Sequence, residues 1–110
     1  MLNIQELYEA RQIAHMFDVQ LRRELQMSLA NATLLYKLKR GGRTGKELSE
    51  EFKVGRSTIS RGLRLLRKKK LADWVWQEKL NKITPEGRKR IAAIHRRVKK
   101  LDWKQVDYVY

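Results

Sequence analysis

The sequence predicts a mainly α-helical fold with one small β-hairpin, and three observations support that prediction. Apolar residues recur at steps of three and four along most of the 110-residue chain, which is typical of amphipathic helices. Helix-capping signals precede two of these segments. Between them, residues 71–84 are rich in β-branched and aromatic side chains and contain a polar junction, a pattern that favours two short paired strands.

Two helical segments come first. The segment from Ile4 to about Gln26 has one apolar stripe, made of Ile4, Leu7, Ala10, Ala14, Phe17, Leu21 and Leu25. A second helix is predicted from about residue 28 to residue 40, ending at the Gly41-Gly42 pair. The spacing leaves open whether these are two helices or one bent helix.

The middle of the chain predicts a pair of short helices. Thr44 and Glu47 have the spacing of a capping box, so a helix should begin there and bury Leu48 and Phe52. The letters "KVG" then indicate a turn, and a new helix starts near Arg56. Two short helices joined by such a turn form a helix-turn-helix.

The segments "LADWVWQ" and "LNKIT" flank Glu78-Lys79 and predict an antiparallel hairpin. In "TPEG", Thr84 is suited to the N-cap and Pro85 to the first turn of a final helix. The apolar stripe of that helix is Ile91, Ile94, Val98 and Leu101. Trp103, Val106 and Tyr110 either continue the helix or form a folded-back tail.

The net charge is +14, and it is concentrated in residues 37–70, which hold thirteen Lys or Arg against three Glu. A localised positive field predicts binding to a polyanion, nucleic acid before acidic membrane. With no cysteine there is no disulfide or thiolate metal site, and His15 and His95 lack a second ligand at metal spacing. These observations lead us to expect no metal or other cofactor. No segment is apolar enough to span a membrane, so we expect a cytoplasmic protein.

The stretch "VGRSTISRGLRLLRKKK" has seven basic residues among seventeen, yet it keeps an apolar stripe. At 100° per residue, Ile59, Leu63 and Leu66 fall within about 60° of one another and should face the core. The opposite face carries Ser57, Ser60, Arg61, Arg64 and Lys68.

A helix of this kind fits the major groove of DNA, where arginine hydrogen-bonds guanine and hydroxyls bond bases or phosphates. The N-terminal end of the helix enters the groove first. Base contacts are therefore predicted for Arg56, Ser57, Thr58, Ser60 and Arg61, and Arg64 is predicted to read bases or to position the helix. A merely solvated charged face is the alternative, and it is less consistent with the neighbouring capped helix, turn and hairpin.

The run "TGKELSEEFKVGRSTISRGLRLLRKKKLADW", followed by a hairpin and "ITPEGRKRI", resembles the winged helix-turn-helix of transcriptional regulators of the MarR and PadR groups. The resemblance covers about residues 30–94. It implies a recognition helix at 56–69, a β-hairpin wing near 74–84 and a homodimer built from the terminal helices. Two positions depart from the usual pattern, because Lys53 stands where glycine is common and Gly55 where a Ser or Thr cap is common.

These expectations divide the chain into an N-terminal dimerisation arm (1–27), a DNA-binding domain (28–84) and a C-terminal dimerisation arm (85–110). Phosphate contacts are predicted for Thr44, Lys46, Lys68 and, unless they are merely solvated, the wing lysines Lys79 and Lys82. The dimer interface is predicted to comprise Leu7, Ala14, Phe17, Leu21, Ile91, Ile94, Val98 and Leu101. An arm that folds back on its own domain is the alternative.

The protein is predicted to be a homodimeric, sequence-specific regulator of transcription that binds double-stranded DNA. A repressor is predicted rather than an activator. Regulators of this kind often bind a small-molecule effector, although no residue identifies one. The alternative is an architectural or plasmid-partition protein that coats DNA. A third possibility is single-strand binding through Trp74 and Trp76, which otherwise cover a core. No catalytic set of residues is visible, so an enzyme is not expected.

Overall fold

Five helices and one two-stranded antiparallel sheet make up the computed structural model, which describes residues 3–101. The helices are α1 (Ile4–Leu25), α2 (Leu29–Arg40), α3 (Gly45–Phe52), α4 (Arg56–Lys68) and α5 (Pro85–Lys99). The strands are β1 (Ala72–Val75) and β2 (Leu80–Ile83). The predicted mainly helical architecture with one hairpin is confirmed, while the segment with Trp103, Val106 and Tyr110 lies outside the described residues.

The first two segments are separate helices. Gln26 ends α1 in the left-handed conformation, with φ 51°, and the Ser28 hydroxyl accepts a hydrogen bond from Asn31 N–H to begin α2. Asp18 of α1 holds the two together, because its carboxylate accepts a 2.7 Å hydrogen bond from the Leu29 N–H. That hydrogen bond lowers the pKa of the Asp18 carboxyl below its ordinary value.

The predicted capping signals are present where the sequence placed them. The Thr44 hydroxyl accepts from Glu47 N–H, and the Glu47 carboxylate accepts from Thr44 N–H, each at 3.0 Å. These contacts complete a capping box and lower the pKa of the Glu47 carboxyl. The Thr84 hydroxyl caps α5 by accepting a hydrogen bond from Gly87 N–H, and Pro85 occupies the first turn.

The core lies where α2, α4, α5 and the end of α1 meet. Its least exposed side chains are Leu21, Leu35, Leu38, Leu48, Leu66 and Ile91. The apolar stripe predicted for α4 is buried, since Ile59, Leu63 and Leu66 are all 4% exposed or less. This burial orients α4 so that its other face points away from the protein.

The start of α5 packs so closely on the segment between α4 and β1 that only glycine fits there. A β-carbon on Gly87 would lie 2.1 Å from the Leu71 carbonyl oxygen and 2.7 Å from Ile83 Cγ1. A backbone carbonyl cannot swing aside as a side chain can. Gly87 therefore sets how near α5 approaches the segment that leads into the hairpin.

We predict that Gly87→Ala lowers the free energy of unfolding by about 1–3 kcal/mol, because the added methyl group overpacks this contact. Gly45→Ala is the matched control, since it also lies in the first turn of a helix but its added methyl group would meet nothing within 4 Å. The control should be neutral or stabilising by up to about 1 kcal/mol. Urea denaturation of both variants measures the difference, and equal stabilities would contradict this account.

Candidate nucleic-acid interface

The turn between α3 and α4 adopts helix-turn-helix geometry despite its two unusual residues. Lys53 takes the left-handed conformation that glycine commonly supplies, with φ 54°. Gly55 is the N-cap of α4 and offers no side-chain hydrogen bond to the first turn. Ser49 stabilises the turn instead, because its hydroxyl donates a 2.6 Å hydrogen bond to the Val54 carbonyl. The turn therefore closes without the residues most often found there.

The outer face of α4 is fully available to a partner. All seven side chains predicted to contact DNA from this helix are exposed: Arg56, Ser57, Thr58, Ser60, Arg61, Arg64 and Lys68. None of the four cations among them forms an ion pair with another residue in 3–101. Their positive charge is consequently not neutralised within the described chain. For Arg61, Arg64 and Lys68 it is directed outward on the side of the helix opposite to the core.

A small cleft lies beside this face. It has a volume of about 270 Å³ and is lined by Gly45, Lys46, Arg56, Ser60 and Leu63. Two cations and a hydroxyl at the start of a helix form a setting suited to a phosphate group. Thr44, which was also predicted to contact phosphate, has its hydroxyl and its N–H occupied by the capping box. Lys46 is therefore the better placed of the two.

The hairpin forms the wing predicted near residues 74–84. Its register pairs Ala72 with Ile83 and Val75 with Leu80, and Lys79 turns the chain with φ 54°. Lys79 is exposed, whereas Lys82 is half-buried and paired with Glu78. Of the two wing lysines, only Lys79 has a charge that is not paired within the described residues.

The two hairpin tryptophans are placed differently. Trp74 is half-buried and meets Trp76 edge to face, with ring centroids 5.8 Å apart. Trp76 is 77% exposed, so the interpretation that both tryptophans cover a core is wrong for this residue. A large exposed ring at the wing turn is available for contact with a partner.

Asn81 connects the wing to the rest of the site, a role that no sequence pattern predicted. Its side chain is only 3% exposed. The Asn81 amide donates to the Arg43 carbonyl at 3.1 Å and accepts from Arg67 Nη1 at 3.2 Å. Its backbone also pairs with that of Arg43 in both directions, at 2.9 and 3.0 Å. An asparagine in a short strand carries no sequence signal for this role, because its partners lie 38 and 14 residues away.

The eight residues predicted for a dimer interface fall into two groups. Phe17, Leu21, Ile91 and Ile94 are at most 4% exposed and pack in the core of their own chain. At these positions the apolar stripes of α1 and α5 serve the core, and they offer a second copy little surface.

The other four residues are accessible. Leu7, Ala14 and Val98 are exposed and Leu101 is half-buried. An apolar groove of about 480 Å³ between α1 and α5 is lined by three of them, Ala14, Val98 and Leu101. The other lining residues are Glu6, Ala10, Ile13, Phe17 and Leu29. The groove leaves apolar surface open on the terminal helices.

Residues 3–101 contain no group of three or more His, Asp or Glu side chains arranged to hold a metal ion. His95 packs edge to face on Tyr36, with ring centroids 5.3 Å apart. Within the same residues, no helix combines the length and the apolar character that crossing a bilayer requires.

Comparison with known proteins places this geometry in a recognised class. Residues 32–73 match the family model described as bacterial regulatory protein, arsR family. Wild-type apo MarR from E. coli is similar in structure, with a TM-score of 0.78 and 19% sequence identity over 96% of this chain and 82% of MarR. A comparison with curated protein sequences finds no match.

Two further solved structures are similar. The transcriptional regulator BldR from Sulfolobus solfataricus has a TM-score of 0.70 and 20% identity, over 99% of this chain and 90% of BldR. MepR from Staphylococcus aureus, in its complex with DNA, has a TM-score of 0.68 and 18% identity, over 96% of this chain and 84% of MepR.

The chain therefore has a winged helix-turn-helix fold. More particularly, the fold is that of MarR-type regulators, since the similarity extends over the terminal helices as well as the central unit. The predicted resemblance to the MarR group is confirmed at the level of fold. The arsR-type match to the helix-turn-helix region was not predicted from the sequence.

We predict that Asn81→Ala lowers the free energy of unfolding by about 1–3 kcal/mol, because it leaves buried polar groups without a partner. Gln77→Ala is the control, since Gln77 is an exposed residue of the same hairpin and its replacement should change stability by no more than about 0.5 kcal/mol. Denaturant titration of both variants checks the prediction. A loss no greater than that of the control would show that the Asn81 contacts do not stabilise the fold.

Proposed function

We propose that this protein is a homodimeric, sequence-specific regulator that binds double-stranded DNA and acts as a repressor by occupying a promoter. The outer face of α4 is the observation that carries the proposal. It presents three hydroxyl residues and four exposed cations, and these cations have no ion-pair partner within residues 3–101. The apolar stripe of the same helix is buried in the core. Such a helix matches the major groove in shape and in hydrogen-bonding groups. The solved complex of MepR with DNA supports the same use of this fold.

The residues of the face divide between two kinds of contact. The first two turns of α4 enter the groove first, so their residues suit contacts to the bases. These residues are Arg56, Ser57, Thr58, Ser60 and Arg61. Arg64 lies on the same face one turn later. Lys68, Lys46 and Lys79 are exposed cations farther from that end and suit phosphates, which position the protein without reading sequence.

Dimerisation is proposed from the apolar surface that the terminal helices leave open. Leu7, Ala14, Val98 and Leu101 line or adjoin the groove between α1 and α5, and Ile4 is 89% exposed. A second copy related by a two-fold axis would cover such surface and set two recognition helices roughly 34 Å apart, one turn of DNA. Part of the same groove would suit an apolar effector, whose identity no residue indicates.

DNase footprinting and gel shift on the DNA upstream of the protein's own gene, with excess competitor DNA and at two salt concentrations, test the proposal. We expect a discrete, two-fold-symmetric footprint that resists competitor. A diffuse footprint that spreads with protein concentration and disappears with added salt would replace the proposal with an architectural DNA-coating role. Clear preference for unpaired nucleic acid would instead favour binding through Trp76.

Arg61→Ala should weaken specific binding by about 1–3 kcal/mol and relax the base preference at one position, because it removes a base contact. Lys68→Ala should weaken binding to all DNA about equally and reduce the salt slope by about one, because it removes a phosphate contact. Both substitutions remove one exposed cation from the same helix, so each is the control for the other. Equal losses on every sequence would refute the assignment of Arg61 to base reading.

A further inference from the structure

Helix α5 carries a second cluster of cations that the proposed recognition of DNA by α4 does not use. Residues 85–101 contain seven Lys or Arg and a single Glu. Two of the seven are turned toward α1: Arg90 donates to the Leu25 carbonyl at 3.1 Å, and Arg97 pairs with Glu24 at 2.6 Å. The other five are exposed.

These five cations form one stripe, which we call the α5 stripe. At 100° per residue they fall within an arc of about 120°, opposite the buried positions Gly87, Ile91 and Ile94. The members of the stripe are Arg88, Lys89, Arg96, Lys99 and Lys100. Only Lys89 has an ion-pair partner in the described part of the chain, the exposed Glu86 at 3.4 Å.

Helix α2 separates helix α5 and its stripe from the recognition helix, because it contacts both α4 and α5. Leu34 of α2 points at Gly62 of α4, whereas Tyr36 packs on His95 of α5. Leu34 and Tyr36 are two residues apart on α2, so their side chains point in directions about 160° apart around that helix. One duplex lying against α4 therefore leaves the α5 stripe open to a different partner.

The chemistry of the α5 stripe favours the DNA backbone over a membrane surface. A helix that binds a bilayer places bulky apolar side chains beside its cations, but the large apolar residues of α5 are turned toward the core or the α1–α5 groove. The stripe extends about 18 Å along the helix, enough to meet several phosphates of a duplex. It is also a poor surface for a second copy, because identical stripes would repel each other.

We propose that the α5 stripe binds the phosphate backbone of a second double-stranded DNA segment, so that the protein holds two segments at once. The inference rests on the proposed function, because the first segment is the one bound through α4. It adds an activity, the bridging or looping of DNA, that recognition of one site does not require.

Second-duplex capture tests the inference. Protein is bound to an immobilised duplex that carries the footprinted site, excess protein is washed away, and a labelled duplex of unrelated sequence is added. We expect the wild type to retain the label, and Arg96→Gln/Lys99→Gln to retain at least about fivefold less. The control is Arg11→Gln/Arg23→Gln, which removes the same charge from exposed positions of α1 and should remain within about twofold of wild type.

A second measurement separates this inference from the proposed function. The Arg61→Ala/Arg64→Ala variant, in which the recognition face is disabled, is compared with the same variant that also lacks Arg96 and Lys99. For residual binding to duplex DNA, the slope of log affinity against log salt concentration should fall by about two in magnitude when Arg96 and Lys99 are replaced. Wild-type capture and an unchanged slope in the α5 double variant would overturn the inference while leaving specific binding through α4 intact. Loss of binding to phosphatidylserine vesicles, with capture of DNA unchanged, would overturn it in favour of a membrane contact.

Discussion

The buried amide of Asn81 is the contact on which the arrangement of the site depends. It lies in β2, yet it binds the backbone before α3 through Arg43 and the end of α4 through Arg67. These hydrogen bonds link the wing, the first helix of the pair and the recognition helix in a setting with little water to replace them. A buried polar group that keeps all its partners favours one relative placement of these parts over slipped alternatives.

The same contacts show that the cations of this chain have two different uses. Arg67, Arg90 and Lys69 donate to groups within the chain, and burial lowers the pKa of the Lys69 ammonium, with Arg90 lowering it further. Lys82 and Arg97 are paired with carboxylates. Two surfaces carry exposed cations that, apart from Lys89, have no ion-pair partner within residues 3–101: the outer face of α4 and the α5 stripe. A net charge of +14 does not by itself distinguish structural cations from those offered to a partner.

Helix boundaries were predictable because the signals that set them are local. The Thr44–Glu47 capping box, the Thr84-Pro85 start and the Gly41 stop act over three or four residues, and each is present in the structure. The outward face of α4 was predictable for a related reason. Its apolar stripe has to be buried, so the opposite face is determined by helical periodicity alone.

The sequence by itself determined the elements, their order and the polar face of the recognition helix. Only the tertiary structure decided which residues of the terminal stripes serve the core: Phe17, Leu21, Ile91 and Ile94 are buried in their own chain, whereas Leu7 and Val98 are not. It also decided the role of Asn81 and the pairing of Lys82. The physical reason is that periodicity reports the direction of a side chain around its own helix or strand. What that side chain meets depends on contacts between segments distant in sequence, and no local pattern encodes those.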